Sequence, residues 1–144
     1  MGLDMTVGKS YVRLNWAGMR AFAAWTKEYL GTDYFDLLTP GWSGGNGEEM
    51  DIDRLGIKKF ILLYHGLVAK DTELKVAQDL VIKGNILDST ADSINDFLAY
   101  PDDKAPDDDP RWKEASRRYY KIILAMTYRE VHRAGNKPVH FYMG

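Results

Sequence analysis

The apolar and polar positions follow their clearest pattern between Asp109 and Gly135. Apolar residues recur there every three or four positions, which is the spacing of one face of an α-helix. This row runs through Trp112, Ala115, Tyr119, Ile122 and Met126. Asp109 can cap the first turn, and Pro110 follows where a missing N–H costs nothing. Because Gly135 suits the left-handed end of a helix, the pattern predicts one helix of roughly 38 Å.

The middle of this long helix is apolar around most of its circumference. A second apolar row lies beside the first between Tyr119 and Met126. A helix with apolar residues on more than one side is buried on more than one side. We therefore expect the other elements to pack around it.

Earlier stretches of the chain carry the same helical spacing. Asn15–Leu30 reads as a helix that Asn15 caps and Gly31 ends. A third helix, starting at Asp51 or Asp53, runs to Ala69. It carries the apolar residues Ile52, Leu55, Phe60, Tyr64, Leu67 and Val68.

Three segments admit more than one interpretation. Ile57–His65 can be a helix or a buried strand, because periodicity does not separate the two in so short a run, although its length favours a helix. Leu80–Asp88 can be the end of a helix that opens at Asp71 or Thr72, or it can be a hairpin. Tyr34–Leu38 is a short apolar piece of either type.

Alternating apolar and polar residues mark the two ends of the chain as strands. Leu3–Leu14 is extended around a turn at Gly8, and Val139–Met143 alternates strictly. Since an isolated strand exposes unpaired backbone groups, we predict that these two segments pair. The resulting fold class is α+β and mostly helical. Four or five helices pack around a long C-terminal helix, and the N- and C-terminal strands form a small antiparallel sheet.

Length and composition bound the class of protein. A chain of 144 residues suggests one domain, 1–144, and its 45% hydrophobic content is that of a folded protein. There is no cysteine, which excludes disulfides and thiolate metal sites. No apolar run of about 20 residues is present and no secretion signal opens the chain, so we expect a soluble, cytoplasmic protein without a membrane partner.

Charge is divided unevenly along the C-terminal half. The segment from Asp88 to Asp109 contains eight aspartates and one lysine, a net charge of −7, whereas 111–137 has a net charge of +6. Charges interact well only within about 10 Å at ordinary salt. We therefore predict that a short Ser89–Tyr100 helix lies beside the long helix, with aspartates near Arg117 or Arg118.

The sharpest motif lies in a glycine-rich loop over Thr39–Glu49. Residues 41–45 match the Gly-x-Ser-x-Gly elbow, in which Ser43 would be a nucleophile. That chemistry needs a strand before the serine and a helix after it, whereas Pro40 precedes the motif and polar residues follow it. We expect Ser43 to be exposed with no histidine in reach, and we take Trp42 as a candidate binding residue.

Arg117 and Arg118 precede two tyrosines and a lysine, as in some proteins that bind single strands of nucleic acid. Long basic side chains that flank a buried helix face explain the same run without nucleic acid. The three scattered histidines and the aspartates of the 101–109 connector have no metal-ligand spacing. We therefore predict no metal and no cofactor.

The opening Met1–Met5 sequence, followed by an aromatic-rich helix, resembles a loose set of short bacterial, archaeal and phage proteins of unknown function. The resemblance covers about the first 30 residues and includes no catalytic motif. It implies a prokaryotic or viral cytoplasmic protein and no particular activity.

Three classes of function follow from these observations. The first is a small soluble binding or accessory protein without a catalytic centre, whose partner is another protein or a second copy of the chain. Its candidate binding residues are Trp42, Arg117 and Arg118. The second class is a hydrolase that uses Ser43 or carboxylates gathered by folding. Nucleic-acid binding through the basic helix face ranks last, because the net charge of the chain is −2.

Overall fold

The computed structural model describes residues 2–83 and 92–144. Within these ranges the chain is α+β and mostly helical, as the sequence predicts. The strands are β1 Gly2–Val7, β2 Ser10–Asn15, β3 Glu48–Asp51 and β4 His140–Met143. The helices are α1 Trp16–Tyr29, α2 Tyr34–Leu38, α3 Arg54–Val68, α4 Thr72–Lys83, α5 Asp92–Leu98 and α6 Pro110–Ala134.

The long helix α6 forms the centre of the fold. The Asp109 side chain accepts a hydrogen bond from the Arg111 amide, Pro110 occupies the first turn, and Gly135 ends the helix with a positive φ of 58°. All six residues of 122–127 are buried. Full burial of each large apolar side chain contributes about 1.5–3 kcal/mol. The predicted start, end and burial of this helix are therefore confirmed.

The four strands form one antiparallel sheet in the order β2-β1-β4-β3. Met5 pairs with Met143 and Val7 with Phe141, which confirms the predicted pairing of the two terminal segments. The sequence does not predict β3, because its composition there indicates a loop up to Glu49 and the start of a helix from Asp51 or Asp53. β3 pairs with the open side of β4, a partner distant in sequence that local composition does not reveal.

Each strand presents alternate side chains to the core. In β2, Val12 and Leu14 are buried while Tyr11 and Arg13 face outward. In β4, Phe141 and Met143 are buried. This face of the sheet belongs to the same hydrophobic cluster as the buried side chains of the helices.

Within the described residues five helices accompany α6, in agreement with the predicted four or five. α4 and α5 pack against α6, while α2 packs against α3. Of the three ambiguous segments, Ile57–His65 lies inside α3 and Tyr34–Leu38 forms α2, so both are helical. Of the third, Leu80–Lys83 is helical, while the rest up to Asp88 lies outside the described residues, as does the predicted start at Ser89. No helix within the described ranges is long and apolar enough to cross a bilayer.

A buried polar cluster ties the β1–β2 turn to α6. The Glu130 carboxylate accepts hydrogen bonds from the Lys9 amide at 2.8 Å and the Ser10 hydroxyl at 3.2 Å. Arg129 donates to the Val81 carbonyl and to the Ser10 hydroxyl, both at 2.6 Å. Gly8 has a positive φ of 60°, and an added Cβ there would lie 2.7 Å from the Glu130 carboxylate. The turn therefore requires glycine, and its position depends on Glu130.

Candidate functional site

The basic residues of α6 line an open cleft of about 390 Å³ between α1, α4 and α6. The residues that line it are Trp25, Tyr29, Glu73, Glu114, Arg117, Arg118 and Lys121. The candidate binding residues Arg117 and Arg118 thus lie together. Three cations and two carboxylates share the cleft, so its chemistry depends on how these charges pair.

Lys121 is fully engaged within the protein. Its ammonium group lies 2.9 Å from Asp71 Oδ2 and 2.9 Å from Glu73 Oε1. It also lies 5.7 Å from the centre of the Tyr29 ring, within cation–π range. The Lys121 side chain is 14% exposed. Two carboxylates and a ring therefore balance a charge that has little contact with solvent.

Arg118 is engaged as well, although its partners differ from those expected. It donates to the Leu98 carbonyl at 3.0 Å, and it pairs with Glu73 at 3.5 Å and Glu114 at 3.7 Å. The prediction that α5 lies beside α6 is confirmed, but the expected aspartate partners are wrong. The first turn of α4 reaches Arg118 with Glu73, while α5 contributes a backbone carbonyl. The order of helices around α6 decides this pairing, and sequence alone did not give that order.

Tyr29, which lines the cleft, and Asp71 complete this network. The Tyr29 hydroxyl donates to Asp71 Oδ2 at 2.5 Å. Burial, together with this carboxylate, raises the pKa of Tyr29. Burial alone would raise the pKa of Asp71, but hydrogen bonds from Tyr29, Lys121 and the Leu74 amide outweigh it and lower that pKa. Tyr29 therefore stays protonated and Asp71 ionised, which suits a structural contact between helices and not a proton transfer.

Arg117 differs from its neighbours because it is exposed and forms no ion pair or hydrogen bond within residues 2–83 and 92–144. The carboxylates of Asp71, Glu73 and Glu114 balance the three cations of the network in number. A surface that attracts phosphates needs unpaired positive charge over several residues. One free arginine in a balanced network does not favour nucleic-acid binding.

Ser43 lies in an exposed loop and is held by a carboxylate. Its hydroxyl and its amide both donate to Glu48, and the Gly45 amide donates to the Ser43 hydroxyl at 3.3 Å. These hydrogen bonds lower the pKa of Glu48. No histidine of the described chain reaches Ser43, as predicted, and a carboxylate with a lowered pKa is a poor base. The geometry is that of a turn and does not favour a nucleophile.

Trp42 lies against the core. Its ring is 4.8 Å from that of Phe35 and 5.8 Å from that of Phe141, measured between centres. The indole nitrogen donates to the Gly45 carbonyl at 3.0 Å. Both the ring and the indole nitrogen of Trp42 therefore have partners within the protein, and its ring packs against Phe141 of the sheet.

Two carboxylates of the connector before α6, Asp102 and Asp109, have local roles. Asp102 accepts from the Lys104 amide, and Asp109 caps α6 and pairs with Arg111 at 2.7 Å. Across the described ranges, no three histidine, aspartate or glutamate side chains come together in a group able to hold a metal ion. Asp102 thus forms a turn, and Asp109 forms a helix cap.

A second cavity, of about 600 Å³, lies between α2 and α3, and we call it the α2–α3 groove. The residues that line it are Thr32, Asp36, Leu37, Pro40, Asp53, Leu55, Gly56, Lys59, Leu62 and Leu63. Two of its leucines are largely in solvent: Leu55 is 60% exposed and Leu62 is 74% exposed.

The helical geometry of α3 explains this exposure. At about 100° per residue, Leu55 and Leu62 lie on one line, whereas Phe60 and Tyr64 lie roughly 140–180° away. Phe60 and Tyr64 are fully buried, so they fix which face of α3 meets the core. A helical-wheel comparison of these four residues was the sequence signal that could have revealed the exposed leucines.

Short contacts fix the shape of the α2–α3 groove. The backbone of Gly56 approaches α2 so closely that an added Cβ would lie 1.9 Å from the Leu37 carbonyl oxygen. The Asp53 side chain caps α3 by accepting from the Gly56 amide at 2.8 Å, and the Asp53 amide donates to the Leu38 carbonyl at 2.9 Å. The two walls therefore have little freedom to close over the leucines.

No protein-family model, curated protein or solved structure matches this chain.

Proposed function

We propose that the protein is a small binding or accessory protein that holds a protein partner in the α2–α3 groove. The observation that carries this proposal is the exposure of Leu55 and Leu62 on one line of α3 beside a preformed groove. Single exposed apolar residues are ordinary, but leucines clustered beside an apolar groove are typical of interaction sites. The proposal includes a soluble, cytoplasmic setting, which the cysteine-free sequence favours.

The two exposed leucines supply part of the energy that specific binding needs. Full burial of a leucine side chain contributes about 1.5–3 kcal/mol, so the parts of Leu55 and Leu62 that are exposed, 60% and 74%, together offer about 2–4 kcal/mol. Interfaces commonly derive most of their affinity from a few residues of this kind. Because the groove is already formed, the partner need not reorganise it on binding, which reduces the cost of association.

The other two classes of function have weaker support. The hydrolase hypothesis lacks a base at Ser43, and the nucleic-acid hypothesis lacks a positive surface at Arg117 and Arg118. The binding hypothesis remains first, although the residues that support it have changed. Trp42 and Arg118 are engaged within the fold, whereas Leu55 and Leu62 are available at the surface.

Site-specific photo-crosslinking tests the proposal. A benzophenone amino acid in place of Leu62 should trap a partner in cells of the natural source. The same group in place of Val76 on α4, which is 46% exposed and outside the groove, should not trap that partner. The trapped protein is then purified and its affinity measured with Leu62→Glu and Val76→Glu variants.

We expect Leu62→Glu to weaken binding by about tenfold or more, because a charge cannot enter an apolar contact without loss of hydration. Val76→Glu should bind like the unchanged protein. Both sites are on the surface, so both variants should fold, as circular dichroism can verify. Equal crosslinking at the two positions, or equal affinity of the two variants, would contradict the proposal.

A further inference from the structure

We infer that the segment bound in the α2–α3 groove is an acidic amphipathic helix, with apolar residues seven apart and carboxylates on either side of them. This inference rests on the proposed function. It adds the conformation and charge of the partner, which the exposed leucines alone do not define.

The charge of α3 carries the inference. The helix contains Arg54, Lys58 and Lys59 and no aspartate or glutamate, so its formal charge is +3 in a chain of net charge −2. Arg54 donates to the Asn136 carbonyl. Lys58 and Lys59 are exposed and form no ion pair within residues 2–83 and 92–144. The two lysines are therefore available to an incoming chain.

These lysines border the leucines on both sides. At about 100° per residue, Lys58 lies roughly 60° to one side of Leu55 and Lys59 roughly 40° to the other. Leu55 and Leu62 form an apolar line between two ammonium groups. A partner that buries this line brings its flanking side chains next to the lysines, where carboxylates are attracted and cations are repelled.

The spacing of the exposed leucines favours a helical partner. Seven residues of α3 span about 10.5 Å, which is the distance between residues seven apart on a second helix. Gly66 continues the same face, and a Cβ added to Gly66 would meet nothing within 4 Å. The backbone of a second helix can therefore approach this part of α3 closely, as small residues allow at helix contacts.

A second copy of the chain fits this surface less well. An α3–α3 contact would bring Lys58 and Lys59 of both copies together, and α3 has no carboxylate to balance them. Within the described chain, the carboxylates that line the groove are Asp36 and Asp53, on the side of α2 and at the start of α3. Asp53 already caps α3 through the Gly56 amide.

Synthetic peptides provide the test. Three helical peptides share one apolar face with leucines seven apart and differ only in their flanking residues, which are glutamate, glutamine or lysine. Fluorescence anisotropy measures their binding to the full chain, to Leu62→Glu, and to the double variant Lys58→Gln with Lys59→Gln. The matched control is Lys27→Gln with Lys113→Gln, which removes two exposed lysines outside the groove.

We expect the glutamate peptide to bind most tightly and the lysine peptide least. The Lys58 and Lys59 double variant should bind the glutamate peptide about tenfold more weakly, because two exposed ion pairs are lost. The control double variant should bind it like the unchanged protein. Raising the salt from about 0.1 M to about 1 M should reduce most of this preference, because the screening length falls from about 10 Å to 3 Å.

The outcomes separate the inference from the proposed function. If the three peptides bind equally and Leu62→Glu abolishes binding, the inference of an acidic partner is wrong, while the groove remains a docking site. Preference for the lysine peptide would also overturn the inference, since the Asp36 carboxylate would then attract the partner more strongly than the two lysines do. If no peptide binds, or if binding survives Leu62→Glu, the proposed function fails too. If the chain alone forms a dimer and Leu62→Glu dissociates it, the occupant of the groove is a second copy of the chain and not an acidic helix.

Discussion

Removal of the Glu130 carboxylate should destabilise the protein far more than removal of any exposed acid on the same helix. Glu130 is 8% exposed, and its carboxylate accepts from the Lys9 amide and the Ser10 hydroxyl. The adjacent Arg129 Nε lies 3.3 Å from Glu130 Oε2, and the Arg129 side chain is 10% exposed. Glu130→Ala deletes the acceptor that all three groups share.

The expected loss follows from these contacts. Breaking a buried charge pair by removing one partner costs about 3–5 kcal/mol, because the remaining charge keeps its desolvation cost. Arg129 retains its hydrogen bonds to Val81 and Ser10, and Gly8 beside the cluster is only half-buried, so water can reach the vacated space. We therefore expect a loss near the lower limit, about 3 kcal/mol. That is a large fraction of the 5–15 kcal/mol by which folded domains are usually stable.

Urea unfolding followed by circular dichroism measures this loss, with Glu114→Ala as the control. Glu114 also lies on α6 and pairs with Arg118 at 3.7 Å, but its side chain is 51% exposed. Removal of an exposed ion pair costs about 0–1 kcal/mol. Glu130→Gln, which keeps one oxygen acceptor, should fall between the two. If the free energies of unfolding of Glu130→Ala and of the Glu114→Ala control differ by less than about 1 kcal/mol, the buried cluster does not hold the β1–β2 turn.

Two further predictions concern α3 and Asp71. Gly56→Ala should destabilise the fold by several kcal/mol, since the added Cβ would lie 1.9 Å from the Leu37 carbonyl oxygen. Gly66→Ala should instead stabilise α3 by about 0.5–1 kcal/mol, because a Cβ added there would meet nothing within 4 Å. Urea unfolding of the two variants should show opposite signs, and a similar effect at both sites would contradict the packing of α2 on α3. Because the folded pKa of Asp71 lies below its ordinary value of 3.8, the stability it contributes is present above that pH and is lost as the pH falls through the lower folded pKa. Asp71→Asn should therefore reduce stability at pH 7 and weaken the dependence of stability on pH below about 4. Urea unfolding at several pH values measures both effects. If stability depends on pH below about 4 as strongly in the variant as in the unchanged protein, this role of Asp71 is refuted.

Local signals in the sequence predicted α6 and the terminal strands. The ends of α6 are decided by Asp109, Pro110 and Gly135, whose effects act within one turn of the helix. β4 alternates strictly between buried and exposed positions, so its face toward the core could be assigned without knowledge of its neighbours. Such features depend on the preferences of adjacent residues, and sequence records them directly.

The groove and β3 depend on contacts between distant residues. β3 has only one apolar residue, Met50, and it receives its pairing from β4, some 90 residues later. The α2–α3 groove exists because Gly56 lets its backbone meet Leu37. Ser43 and the basic run at Arg117 match known motifs. Leu55 and Leu62 match none, and only the direction of the buried face of α3 shows that they are exposed.

β4 lies between β1 and β3, so the sheet cannot form during synthesis until residues 140–143 have left the ribosome. At about 5–20 residues per second, the β1–β2 hairpin waits on the order of ten seconds for this strand. During that interval one edge of β1 is open to pairing with other nascent chains. Aggregation during expression should therefore respond to translation speed and to chaperones, whereas refolding of the complete chain avoids the delay.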